Sequence, residues 1–119
     1  MITLTSFRHA FKGLRVVVSR ERNARIHIFF ALLAVVSSLY FQISFFQVTL
    51  VIFAIMLVFF AEITNTAIER TLDLITTERN QIVELIKDMT AGGVLVCAAG
   101  AVIIALFIFG PRVYELFFR

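Results

Sequence analysis

The chain has 119 residues, 61% of them hydrophobic, with 14 Phe, a single Pro, a net charge of +3 and a mean hydropathy of +0.97. That balance is far too apolar for a soluble domain of this size, and it points to an integral membrane protein. The charge is small and gathered beside apolar segments, so nucleic acid is not expected as a partner.

Such a length suits one domain, read here as 1–119, and no Pro/Gly/Ser-rich linker, repeat or low-complexity run divides it. The opening stretch "MITLTSFRHAFKGLRVVVSRERNARIH" has neither the short apolar core nor the small-residue cleavage site of a signal peptide, so no removal is expected. Within it Phe7, Phe11, Leu14 and Val18 recur at i, i+4, i+7 and i+11, with Arg8, Lys12 and Arg15 on an adjacent stripe. This spacing predicts an amphipathic helix over about 5–22, lying on an anionic membrane surface.

Three spans follow, each needing about 20 residues to cross roughly 30 Å of hydrocarbon. The first is predicted at about 26–45 and the third at about 89–109. The second, about 48–72, differs from both. Its clean apolar run, Val48 to Ala61, covers only about 21 Å at about 1.5 Å per residue, so the span must continue through Glu62 and Asn65. In the third, Gly93, Cys97, Ala101 and Ala105 form an i+4 stripe of small residues against which another helix could pack closely. Cys97 is the chain's one cysteine, which excludes a disulfide framework. The predicted fold class is thus an all-α membrane protein with three transmembrane helices and an amino-terminal surface helix.

Arg8, Lys12, Arg15, Arg20, Arg22 and Arg25 precede the first span, while the connection "QISFFQ" is uncharged. The amino terminus is therefore expected in the cytoplasm. The loop near 70–88 returns to that side with Arg70, Arg79 and Lys87, whereas Arg112 and Arg119 in the outer tail run against the pattern.

At about 100° per residue, Glu62, Asn65, Glu69 and Asp73 fall within an arc of roughly 80° on one helix face. A carboxylate facing lipid at this depth costs several kcal/mol, so the stripe must face other helices or a wet cavity. Structural glue is the competing reading, and Asp73 could simply pair with Arg70 at i−3. It suits Glu62 least, because an amide would give the same hydrogen bonds without a charge. Two clusters lie on the same side of the membrane. "SRERNARIH" sets Glu21 among arginines, and "KDMTAGG" sets Lys87 and Asp88 at the entrance to the third span. Lys87 could hold phosphate and Asp88 a magnesium-nucleotide complex, although an Asp at a helix start would also serve as a cap. Converging carboxylates and a lysine are what magnesium-assisted phosphoryl transfer to a lipid hydroxyl needs. There is no G-x-x-x-x-G-K-[ST] and no protein-kinase motif.

The segments "AEITNTAIERTLDLIT", "IKDMTAGGVLV" and "FKGLRVVVSRERNARIH" resemble the prokaryotic integral-membrane diacylglycerol kinase family, which includes undecaprenol kinases. The resemblance covers about Phe7 to Pro111, and its E-x-x-N-[ST]-A-I-E core with a downstream K-D is specific. It implies a homotrimer in the bacterial cytoplasmic membrane, with active sites shared between subunits and transfer of the ATP γ-phosphate to a lipid alcohol. By this resemblance Glu62 falls on the catalytic base, and Glu21 and Glu69 on the glutamates that hold Mg²⁺ with ATP. Lys87 and Asp88 fall on the nucleotide-contacting pair, and Asn65 on the asparagine of the core, with Arg15 and Asp73 in supporting or substrate-binding positions. The loop "TTERNQIVE" departs from the family in having Asn80 and no histidine, so no nucleotide contact is carried over there. "ERN" followed by His27, "AIERTLDLIT" and "IFGPR" look more like the undecaprenol-kinase branch than the enterobacterial diacylglycerol type. That type carries an acidic residue near the His27 position, and His27 is read here as an interfacial hydrogen-bonding residue. Two other classes remain open: an oligomeric cation- or proton-coupled transporter, which leaves Glu21, Lys87 and Asp88 unexplained, and a non-catalytic membrane subunit.

Overall fold

A computed structural model describes residues 3–119, which form four helices in sequence: α1 (Leu4–Arg20), α2 (Arg22–Phe41), α3 (Phe45–Ile75) and α4 (Gln81–Phe118). The last three are long and apolar enough to cross a membrane, and the chain is a membrane protein. α1 starts at Thr3, whose hydroxyl caps the Ser6 amide, and it contains no buried residue. Its end is abrupt. Glu21 leaves helical geometry (φ −102°, ψ 116°), and the Arg25 guanidinium turns back to the carbonyls of Val18 and Ser19 at 3.2 and 3.0 Å. A cation on the last carbonyls of a helix satisfies groups that have no intrahelical partner. The break thus falls at Glu21, inside the range 5–22 predicted for a single helix.

The first span also ends earlier than its predicted limit of 45. Gln42 adopts the left-handed conformation (φ 50°, ψ 52°) and closes α2 through its amide to the Ser38 carbonyl. Ser44 then opens α3 with a capping box, its hydroxyl accepting from the Gln47 amide while Gln47 Oε1 accepts from the Ser44 amide, both at 3.2 Å. Phe45 therefore belongs to the second span. The apolar run "LYFQISFF" conceals this turn because hydropathy registers the side chains and not the backbone reversal.

α3 has 31 residues, about 46 Å at about 1.5 Å per residue, and α4 has 38, so both outrun the hydrocarbon layer. α3 packs mainly on α4 and secondarily on α2. Its buried residues, Val51, Ala54, Val58, Glu62, Asn65, Thr66 and Leu72, recur at helical spacing along one face. The polar stripe continues the same surface that is apolar in the outer half. α4 runs past Pro111 to Phe118 rather than stopping near 109, since a proline removes one backbone bond without ending a helix that other contacts hold. Arg112 bridges α4 to the start of α3, donating to the Ile108 carbonyl at 2.6 Å and to Gln47 Oε1 at 2.9 Å. Below that latch Ile43, Val51 and Ile108 form an apolar cluster. Among the described residues no atom of another helix lies within 4 Å of a Cβ added at Gly93, so the small-residue stripe of α4 is not closely packed there.

Candidate active site

Glu62 sits where the apolar face of α3 becomes polar, only 2% exposed. Its neighbour is His27 on α2, with Nε2 3.7 Å from Glu62 Oε2. Ala24, fully buried one turn earlier on α2, has no side chain beyond Cβ to hold the helices apart at this level.

On the other flank of α3, Asn65 is 8% exposed, and its Oδ1 accepts a 2.6 Å hydrogen bond from the Thr90 hydroxyl of α4. That hydroxyl also lies 3.0 Å from the Lys87 carbonyl. The bond fixes the rotation of α3 against α4 and hence the direction of the stripe. Thr66 is 3% exposed, and its Oγ1 has no hydrogen-bond partner among the described residues. By contrast Thr49, Thr64 and Thr71 on the same helix donate to the carbonyl four residues back.

Farther along α3 the stripe opens to water: Glu69 is half-buried and Asp73 exposed. The axial separation of Glu62 and Glu69 is about 10.5 Å. Asp73 does not pair with Arg70. It accepts a 2.8 Å bond from Lys87 Nζ, while Arg70 Nη2 donates to Glu21 Oε1 at 3.0 Å. Lys87 precedes the apolar run of α4, and its hydrogen bond to Asp73 holds its pKa above the ordinary 10.5, so it remains cationic at neutral pH. Both pairs are solvent-exposed enough to exchange partners readily. The capping reading of Asp88 is excluded. α4 begins at Gln81 under an Asn80 cap, whose Oδ1 accepts from the amides of Ile82 and Val83, and Asp88 lies two turns inside the helix with its side chain exposed. Beside Lys87 a polar cavity of about 250 Å³ is lined by Asp73, Thr76, Arg79, Glu84 and neighbours. Arg15 lies exposed on α1.

Among the described residues no three His, Cys, Asp or Glu side chains cluster as a self-sufficient metal cage. Magnesium that arrives with a nucleotide needs no such cage, because it is held by one or two carboxylates together with phosphate oxygens. The sequence reading brought Glu62, Asn65, Glu69 and Asp73 to one face, as the structure has them. It missed His27 as the neighbour of Glu62, Thr90 as the partner of Asn65, and the crossed pairing of Arg70 and Lys87.

The chain matches the family model described as prokaryotic diacylglycerol kinase over residues 8–109, and it belongs to that family of membrane lipid kinases. It is 35% identical over 107 residues to an undecaprenol kinase of Bacillus subtilis, covering 90% of this chain and 87% of that one. It is 31% identical over 102 residues to a diacylglycerol kinase of Synechocystis, covering 85% of this chain and 58% of that longer relative. A diacylglycerol kinase of Escherichia coli is 35% identical over 95 residues, covering 80% and 78%.

Proposed function

We propose that the whole chain acts as one kinase domain, transferring the γ-phosphoryl group of magnesium-bound ATP to the primary hydroxyl of a membrane lipid alcohol. Undecaprenol is the favoured acceptor and diacylglycerol the alternative. The observation that carries this reading is a carboxylate, Glu62, buried in an apolar helix 3.7 Å from an imidazole. A transporter would not need Lys87 and Asp88 at the mouth of the site, and membership of a kinase family favours the enzyme. The undecaprenol reading rests on "ERN" with His27, "AIERTLDLIT" and "IFGPR", and the relative named undecaprenol kinase matches more of the chain than the Escherichia coli diacylglycerol kinase does.

In this mechanism Glu62 accepts the proton of the lipid hydroxyl as its oxygen attacks the γ-phosphorus. Glu21 and Glu69, nearer water, hold the metal-nucleotide complex, and Arg70 orients Glu21. Bound magnesium would neutralise charge on the phosphoryl oxygens and so lower the barrier. Lys87 exchanges Asp73 for a phosphate oxygen, Asp88 positions the complex from the exposed side of α4, and Asn65 with Thr90 keeps Glu62 aimed. Arg15, on a helix resting on the anionic cytoplasmic face, reaches lipid or nucleotide phosphate. The setting we propose is the cytoplasmic membrane of a bacterium, with the amino terminus inside and three copies sharing sites. Exposed Leu95, Val96, Leu106 and Phe107 on α4 supply apolar surface for a second copy or lipid.

The test offers diacylglycerol and undecaprenol separately to purified protein in mixed micelles, with labelled ATP, with and without magnesium. Magnesium-dependent lipid phosphate is expected, more of it from undecaprenol. No lipid phosphate from either acceptor would overturn the kinase reading, and a preference for diacylglycerol would overturn only the choice of acceptor.

A further inference from the structure

A base buried as deeply as Glu62 must also lose the proton it gains. Transfer from alcohol to ATP forms an O–P bond to the lipid and breaks the bond between the γ-phosphorus and the bridging oxygen, whose electron pair leaves with ADP. The hydroxyl proton is left over at each turnover. With its side chain 3% exposed, Glu62 cannot hand that proton directly to bulk water. The neighbouring imidazole is the better-placed carrier, since the His27 side chain is 19% exposed against 3% for Glu62, lies near the start of α2, and has its Nε2 3.7 Å from Glu62 Oε2.

We propose that His27 is the proton exit of the site, taking the proton from Glu62 at Nε2 and releasing one to water from Nδ1. The inference rests on the reading of Glu62 as the base, and it makes His27 a residue that acts through Glu62 rather than on the substrate. The route requires an imidazole with Nε2 free to accept and its hydrogen on Nδ1. A side-chain movement of roughly 1 Å converts the observed separation into a hydrogen bond. The step balances: the proton enters His27 from Glu62, a second leaves to solvent, and the starting tautomer returns by ring rotation or exchange with water.

The other charged groups nearby are placed to leave this route open. Glu21, at the α1–α2 corner, is engaged by Arg70, and Arg25 on α2 is turned away onto the carbonyls of Val18 and Ser19. Glu69 stands about 10.5 Å farther along α3, and on α4 the Thr90 hydroxyl donates to Asn65 Oδ1.

The experiment measures steady-state lipid phosphorylation for the parent, His27→Gln, His27→Glu and Glu62→Gln in the same micelles, with assembly checked by size exclusion. A relay predicts that His27→Gln lowers kcat about 10- to 100-fold with the KM for lipid and ATP unchanged, and that added imidazole restores several-fold of the loss. His27→Glu keeps a group able to accept a proton and should remain within a few-fold of the parent. The proposal is overturned if His27→Gln is within a few-fold of the parent, or if imidazole and His27→Glu both fail to relieve its loss. If His27→Gln does not assemble, assembled His27→Glu decides: activity within a few-fold supports the relay, and a loss beyond 10-fold overturns it. Full activity in Glu62→Gln would instead overturn the base assignment, which keeps the two failures distinct.

Discussion

The two ends of the helix layer treat their polar groups in opposite ways. At the α2–α3 turn they are consumed by structure: Ser44 and Gln47 cap one another, and Arg112 locks Gln47 to the Ile108 carbonyl above an apolar cluster. At the other end a buried carboxylate stands 3.7 Å from an imidazole, a buried threonine hydroxyl has no partner among the described residues, and two exposed ion pairs can exchange. Buried polar groups are normally satisfied, and an end that leaves them short gives up stability for reactivity. The contrast separates the part of α3 that holds the fold from the part that performs the chemistry.

Substitutions at the reactive end should cost activity far more than stability, and the reverse should hold at the turn. The largest effect is expected for Glu62→Gln, which keeps volume and hydrogen bonding but cannot take a proton. Lipid phosphorylation should fall at least about 100-fold while assembly and nucleotide binding persist. Glu69→Gln comes next. Its activity should fall about 10-fold or more at low magnesium and recover partly as magnesium rises, since an amide is the poorer ligand. Glu21→Gln should behave alike but more mildly, because Arg70 already shares its charge; magnesium titrations of both variants check this.

Asn65→Ala tests the border between the two regions. It leaves the Thr90 hydroxyl only the Lys87 carbonyl as acceptor and cuts the tie between α3 and α4, so a stability loss of about 1 kcal/mol should accompany a drop in activity, measured by thermal unfolding beside the kinase assay. At the turn, Gln47→Leu should lower thermal stability by about 1 kcal/mol and leave activity per assembled protein unchanged. The smallest effect belongs to Gln42→Gly. A left-handed backbone suits glycine, so unfolding should move slightly upward, by no more than about 1 kcal/mol.

How much of this could be read from the chain follows the same division. The stripe of Glu62, Asn65, Glu69 and Asp73 was legible because one helix fixes its own angular relations, whatever packs against it. His27 was not, because its place opposite Glu62 depends on the antiparallel register of α2 on α3, which the α2–α3 turn sets. That turn was itself hidden in "LYFQISFF", where only Gln42 takes a left-handed conformation and no glycine or proline marks it. The pairing of Lys87 with Asp73 likewise required knowing that the α3–α4 connection occupies only residues 76–80, which brings the start of α4 beside the end of α3. Asn80 was read against a possible nucleotide contact, and its side chain is occupied as the α4 cap.

The most direct measurement is the rate at which labelled phosphate passes from ATP to undecaprenol, for the parent and for Glu62→Gln, in one preparation of assembled protein. A parent that forms lipid phosphate only with magnesium, beside a variant reduced at least about 100-fold, is the result expected of a buried base. A variant working within a few-fold of the parent would contradict it, and Glu62 would then be a structural charge.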